Sequence, residues 1–126
     1  TKTTNELFKI KDTKTLFGDT LSLFEGNDIN FVNMEGALTE SDAGIEKFGP
    51  CLKGTPIAAE VMKEVGINLV GLSNNHIFDY GIRGYKDTKY AVNNGEIGEV
   101  TQMLYDTLTG IQWGKIEDEF NWTYKL

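Results

Sequence analysis

Two short apolar runs and the helical pattern between them predict the centre of the fold. Residues 69–72 are apolar without alternation, which is typical of a strand covered on both faces, and residues 29–34 predict a second strand. Thr55 and Pro56 suit the start of a helix, and Gly66 suits its end. One helical face between them is apolar: Ile57, Ala58, Val61, Met62 and Val65. The order strand, helix, strand predicts a parallel crossover in an α/β sheet.

The regions before and within this unit have weaker patterns. Residues 1–15 are rich in Thr and Lys, and they predict a loose or edge element. Asp19 is a candidate N-cap for a short helix that ends near Gly26. Residues 36–54 hold few apolar positions and several turn-forming residues, so they predict a long loop.

The C-terminal part changes character along its length. Residues 82–95 predict a helix that ends at an Asn-Asn-Gly stop signal. Residues 97–108 predict a second amphipathic helix. Residues 120–126 alternate between apolar and polar side chains, which predicts a half-exposed aromatic strand that forms a β-hairpin with residues 111–116.

Composition limits the class of protein. The 126 residues suit a single domain with a modest core. The formal net charge is −7 and no basic stripe interrupts it, which argues against a nucleic acid partner. Cys51 is the single cysteine, so no internal disulfide is expected. We expect no signal peptide in this chain, and no apolar run reaches the roughly 20 residues of a membrane span.

The residues able to carry chemistry follow the predicted strands. His76 is the only histidine, and it lies just beyond residues 69–72 with Asn75 before it and Asp79 after it. Glu35 follows the other strand, and parallel strands bring their carboxyl ends to one edge of a sheet. Carboxylate, amide and imidazole groups suit a divalent ion such as Mn, Fe, Mg or Zn. An imidazole there could donate a proton to a phosphoryl or leaving group, with Asp79 orienting it.

Each of these four residues also has a structural interpretation. Asn75 lies in an Asn-rich segment of the kind that forms turns, and a single histidine is often structural. Asp79 precedes a predicted helix and could cap it, whereas Glu35 could be an exposed turn residue. The pattern of residues alone leaves both interpretations open.

Several separated motifs, in order, resemble one known family. They are residues 33–39 (Asn-Met-Glu-Gly-Ala-Leu-Thr), Gly49-Pro50, Pro56 with its helix, residues 70–81 (Val-Gly-Leu-Ser-Asn-Asn-His-Ile-Phe-Asp-Tyr-Gly) and Asp87-Thr88. Together they resemble the bacterial CapA-like family of capsule and poly-γ-glutamate synthesis proteins. The resemblance covers roughly residues 16–95.

The resemblance implies a relation to the calcineurin-type metallophosphoesterases. The implied fold is an α/β/β/α sandwich, and the implied centre is a phosphoesterase-like site that uses a divalent metal. By position, Glu35 would be a carboxylate ligand of the metal and Asn75 an amide ligand. His76 would meet the phosphoryl group, and Asp79 would lie in the outer shell.

The chain also departs from the family pattern. No apolar strand precedes Gly18-Asp19, so the strand that normally supplies the first metal ligand is missing. We therefore expect a single domain over residues 1–126 with a partial sandwich and an incomplete metal shell, as in a fragment or a short divergent member. Residues 96–126 resemble nothing in the family.

The functional hypothesis is a protein of capsule or poly-γ-glutamate biosynthesis, extracytoplasmic or associated with a membrane-bound biosynthetic complex. Its substrate would be an anionic cell-surface polymer or a phosphoester, and a hydrolase activity would depend on how complete the site is. The alternative hypothesis is a non-catalytic accessory or assembly module. In that case the aromatic C-terminal strand would mediate association, including the formation of a homodimer.

Overall fold

A parallel three-stranded sheet forms the centre of the protein in the computed structural model, which describes residues 2–100. The sheet has the order β1-β4-β5, and both strand pairs are parallel, with Val32 opposite Val70 and Val70 opposite Glu99. The carboxyl ends of its three strands therefore share one edge. The elements in chain order are α1 (Lys2–Lys9), α2 (Thr13–Phe17), a 3-10 helix (Gly18–Phe24), β1 (Phe31–Asn33), β2 (Ala37–Leu38), β3 (Lys53–Gly54), α3 (Ala58–Glu64), β4 (Leu69–Gly71), α4 (Gly81–Asn94) and β5 (Gly98–Val100).

The hydrophobic core packs around the central strand β4. Val70 and Leu72 are fully buried, in agreement with the unbroken apolar run that predicted a strand covered on both faces. Other buried apolar residues come from β2, α3, α4 and the turns beside them: Leu38, Ala58, Ala59, Met62, Ile67, Ile77, Ala91, Val92 and Ile97. The fold class is therefore α/β with parallel sheets, as the sequence predicted.

A second, two-stranded parallel sheet joins β2 to β3, with Ala37 opposite Lys53. Thr88 fastens this sheet to α4, because its hydroxyl oxygen accepts from the Leu38 N–H at 2.8 Å and donates to the Gly84 carbonyl at 2.7 Å. Residues 36–54, predicted as one long loop, therefore contain both strands of the small sheet. That prediction was wrong at both ends of the segment.

Helix α3 confirms the predicted crossover helix, although its start differs. The helix begins at Ala58, and the Thr55 hydroxyl donates to Glu40 at 3.0 Å instead of capping it. The predicted stop at Gly66 is confirmed in position, because this residue has a φ of +96° that suits glycine. Its backbone N–H donates to the carbonyl of Lys63 at 3.0 Å, as in a helix C-terminus.

The N-terminal region is helical, so the loose element predicted for residues 1–15 was wrong. The N-cap of α2 is Asp12, whose carboxylate accepts from the Thr15 N–H at 3.1 Å and from the Thr15 hydroxyl at 2.6 Å. Phe8 and Phe17 also pack against the core, which stabilises this region through contacts distant in sequence. Asp19 was wrongly predicted as an N-cap, since it lies inside the 3-10 helix.

Residues 98–100 form strand β5, where the sequence predicted the start of a second amphipathic helix. The edge of β4 that faces away from β1 carries backbone N–H and C=O groups that need hydrogen-bond partners. The parallel pairing with β5, in which Val70 lies opposite Glu99, supplies those partners. The rest of that helix and the aromatic hairpin of residues 111–126 lie outside the described residues. Within residues 2–100, no helix is long and apolar enough to cross a membrane.

Candidate metal and phosphoester site

Glu35 and His76 lie together at the carboxyl edge of the central sheet. Each follows one of two adjacent parallel strands, β1 and β4, and the Met34 N–H continues the ladder by donating to the Gly71 carbonyl at 3.0 Å. Glu35 Oε1 is 3.5 Å from His76 Nε2. The Glu35 side chain is 50% exposed and that of His76 is 16% exposed, so the pair faces solvent from one side. The predicted meeting of these two residues at one edge is confirmed.

Asn74 connects the two chain segments that carry these residues. Its side-chain amide donates to the Met34 carbonyl at 3.0 Å, and its side-chain oxygen accepts from the His76 N–H at 3.1 Å. Asn74, a member of the Asn-rich segment that the sequence left open as a turn, therefore connects the strand that delivers Glu35 to the loop that delivers His76. Asn75 is exposed on the same loop, between Asn74 and His76.

Asp79 contacts the other ring nitrogen of His76. Its Oδ2 lies 2.7 Å from His76 Nδ1 and also accepts from the Leu52 N–H at 2.7 Å. The side chain is only 1% exposed. Asp79 does not cap α4, since the N-cap residue is Tyr80 and that helix has no side-chain cap. Of the two interpretations that the sequence left open for Asp79, the geometry favours the contact with His76.

Lys47 is a member of the site that the sequence did not reveal. Its ammonium lies 2.5 Å from Asp79 Oδ1 and 3.0 Å from His76 Nδ1, and its side chain is 20% exposed. The residue comes from the connection between β2 and β3, which looks like an ordinary polar loop in the sequence. Its partner is 32 positions away, and no local pattern reports a contact at that distance.

These donors determine the charge of the buried carboxylate. Burial alone would raise the pKa of Asp79, but hydrogen bonds from Lys47, from the Leu52 N–H and from His76, together with the charge of Lys47, lower it below its ordinary value of 3.8. Asp79 is therefore ionised at neutral pH. Lys47 and Asp79 therefore form an ion pair beside the imidazole.

The donor set suits a divalent cation only in part. A carboxylate at Glu35 and an exposed amide at Asn75 are ligand types that Mn, Fe, Mg or Zn accept. Within residues 2–100, however, no group of three or more His, Cys, Asp or Glu side chains is arranged to hold a metal ion. The described residues before β1 form α1, α2 and the 3-10 helix.

The Asp87-Thr88 motif joins α4 to the segment around β2 through hydrogen bonds. Asp87 accepts from the Thr39 hydroxyl at 2.6 Å and from Arg83 at 2.8 Å, while Thr88 bonds to the backbone of β2. These bonds hold the small sheet against α4. The residues recognised in this motif therefore stabilise the framework that supports the site.

Comparison with curated proteins finds short similarities to aminotransferases. The chain is 52% identical over 46 residues to a probable branched-chain-amino-acid aminotransferase of Staphylococcus epidermidis, covering 36% of this chain and 13% of that protein. It is 54% identical over 42 residues to branched-chain-amino-acid aminotransferase 2 of Bacillus subtilis, covering 33% of this chain and 12% of that protein. The matched segment thus spans about an eighth of the length of these relatives.

A family comparison covers far more of the chain. The model of the bacterial capsule synthesis protein family PGA_cap matches residues 2–100, the same range that contains the two sheets and the Glu35 and His76 corner. Because this match extends over most of the sequence, the chain belongs to the bacterial capsule synthesis protein family PGA_cap.

Proposed function

We propose that this chain carries the phosphoesterase-like corner of a capsule synthesis protein, with Glu35 and Asn75 as ligands of a divalent metal ion. The observation that supports it is the 3.5 Å approach of Glu35 Oε1 to His76 Nε2 at the carboxyl edge of adjacent parallel strands. In open α/β sheets this edge is where ligands bind. Membership of the family supports a role in capsule synthesis.

In this proposal each residue of the corner has a separate task. A bound divalent ion would supply Lewis acidity toward a phosphoryl oxygen. His76 meets the phosphoryl group through Nε2, where the neutral ring accepts a proton and the protonated ring donates one to a leaving oxygen. Asp79 holds the ring from the other side through Nδ1. The substrate would be an anionic cell-surface polymer or a phosphoester, outside the cytoplasm or at its membrane.

The whole domain would have the α/β/β/α arrangement of the metallophosphoesterases. The two parallel sheets of residues 2–100 are compatible with part of such a sandwich, and the family membership supports the relation. The first metal ligand would come from a further strand. A second copy of the chain or another part of the protein would supply that strand. We propose no aminotransferase activity, because the matched segment covers 13% or less of those relatives.

The second candidate function is a non-catalytic accessory or assembly module in a membrane-associated complex. It is favoured by the lack, within residues 2–100, of a group of three acidic, cysteine or histidine side chains that could hold a metal. In this case the corner would persist as structure because Asp79 and Asn74 connect distant segments of the chain.

Calorimetric titration with Mn²⁺ and Zn²⁺ tests the proposal. Binding by the wild type should weaken in Glu35→Gln and Asn75→Ala but not in Glu64→Gln, a matched control on the exposed end of α3. Turnover of a phosphodiester such as bis(4-nitrophenyl) phosphate should then be lost in His76→Gln while metal binding is retained. A folded wild-type protein that binds neither ion would refute the metal site and leave the accessory module.

A further inference from the structure

The side-chain amide of Asn74 forms a bridge at the point where β1 and β4 end. The backbone ladder of these strands extends to the Met34 N–H, which donates to the Gly71 carbonyl at 3.0 Å. One step further, Asn74 Nδ2 donates to the Met34 carbonyl at 3.0 Å and also lies 3.5 Å from Asn33 Oδ1. Asn74 Oδ1 accepts from the His76 N–H at 3.1 Å. The amide therefore continues the connection between the two segments beyond the ladder.

The backbone groups that Asn74 binds belong to the peptide units that carry the site residues. The Met34 carbonyl lies in the peptide unit that leads into Glu35. The His76 N–H lies in the unit that joins Asn75 to His76. Because a peptide unit is planar, a hydrogen bond that fixes its orientation also constrains the Cα atoms at both of its ends. One side chain thereby constrains the backbone of all three residues.

The chemistry of this bridge requires an amide. The Met34 carbonyl needs a donor and the His76 N–H needs an acceptor, and the asparagine side chain supplies one of each. An aspartate would keep the acceptor but place a second oxygen against the carbonyl, and an alanine would supply neither group. The backbone of Asn74 is itself held, because its N–H donates to the carbonyl of the buried Leu72 at 3.0 Å.

Asn68 makes a comparable connection at the opposite end of the same two strands. Its Nδ2 donates to the Asp28 carbonyl at 2.9 Å, and its Oδ1 accepts from the Asn30 N–H at 2.9 Å. Asn68 and Asn74 are both half-buried, and both amides cross from the segment of β4 to the segment of β1. Only Asn74 does so at the carboxyl edge, so Asn68 is a matched control for the joining of the strands.

We propose that Asn74 is a positioning residue that sets the separation of Glu35 and His76. The Glu35 side chain is 50% exposed, so burial does not hold it at 3.5 Å from the imidazole. The bonds of Asn74 instead fix the backbone on both sides of this contact. The use of this positioning in metal binding rests on the proposed function, whereas the positioning itself needs no metal ion.

The single histidine makes the separation measurable in the full chain without metal. At pH 7, nuclear Overhauser effects between the ring protons of His76 and the side-chain protons of Glu35 report their contact. The wild type and Asn68→Ala should show these effects. Asn74→Ala should lose them, because neither peptide unit is held any longer. Asn74→Asp should lose them as well, because the bond to the Met34 carbonyl is replaced by repulsion between two oxygens.

Two results of this measurement would overturn the proposal. One is a set of Overhauser effects that is unchanged in Asn74→Ala, and the other is an equal loss in Asn68→Ala. If Asn74→Ala does not fold, Asn74→Asp is compared with Asn68→Ala by the same criterion.

Calorimetric titration with Mn²⁺ gives a second readout. Loss of a residue that orients metal ligands typically costs about 10-fold to 100-fold in metal affinity, so Asn74→Ala should bind at least about 10-fold more weakly than Asn68→Ala. If the wild type binds Mn²⁺, equal affinities of these two variants would also overturn the proposal. A wild type that binds no Mn²⁺ would refute the proposed metal site alone, because the Overhauser effects are measured without metal.

Discussion

Replacing Lys47 by methionine should destabilise the protein more than any exposed lysine substitution. The change keeps most of the side-chain volume but removes the ammonium that lies 2.5 Å from Asp79 Oδ1. Asp79 is 1% exposed, so its carboxylate would lose its compensating charge without gaining water. Breaking a buried ion pair by removing one partner costs about 3–5 kcal/mol.

The structure places the expected cost at the low end of that range. Two donors to Asp79 remain after the substitution, the Leu52 N–H at 2.7 Å and the imidazole of His76 at 2.7 Å. We therefore expect a loss of about 3 kcal/mol in the free energy of unfolding. The Lys53→Met control removes a pair whose aspartate is 98% exposed, and such surface pairs contribute about 0–1 kcal/mol.

Urea unfolding at pH 7, followed by far-UV circular dichroism, measures both losses. With a slope of about 2 kcal/mol per molar urea, the midpoint of Lys47→Met should fall by about 1.5 M. The midpoint of Lys53→Met should fall by no more than about 0.5 M on the same scale. Equal midpoints for the two variants would show that the Lys47 and Asp79 pair contributes no more than a surface contact, and the reasoning would be wrong.

Two further predictions concern pH and the framework. Because the pKa of Asp79 is lowered in the folded state, its ionisation stabilises the protein above the unfolded pKa near 3.8, and this contribution is lost as the pH falls through the folded pKa. The difference in unfolding free energy between wild type and Asp79→Asn should therefore shrink from pH 6 to pH 3. A difference that stays constant over this pH range would contradict the prediction. Thr88→Val should cost about 1–3 kcal/mol, because it leaves the buried Leu38 N–H without its acceptor. Thermal unfolding measures this loss, with Thr88→Ser as the control that keeps the hydroxyl, and equal stability of the two variants would refute it.

Local patterns determined the elements that depend on nearby residues. The unbroken apolar run at residues 69–72 predicted β4, and the apolar face before Gly66 predicted α3, because both signals lie within one element. Their order along the chain was enough to place Glu35 and His76 at the same edge of a parallel sheet. The motifs at this edge also led to the correct family.

Other elements depended on contacts that no local pattern reports. Residues 98–100 look helical in the sequence, but the open edge of β4 pairs with them as a strand. The N-terminal segment looks loose, but Phe8 and Phe17 pack against the core and stabilise its helices. In both cases tertiary packing overrides a weak local preference.

The sequence by itself determined the parallel α/β framework and the corner that holds Glu35 and His76. Only the tertiary structure decided what surrounds that corner. Asp79 could have capped α4, yet it contacts His76, and Lys47 reaches the site from a polar loop 32 positions away. The physical reason is that a buried carboxylate must find donors wherever the folded chain supplies them, whereas sequence spacing reports only neighbours along the chain.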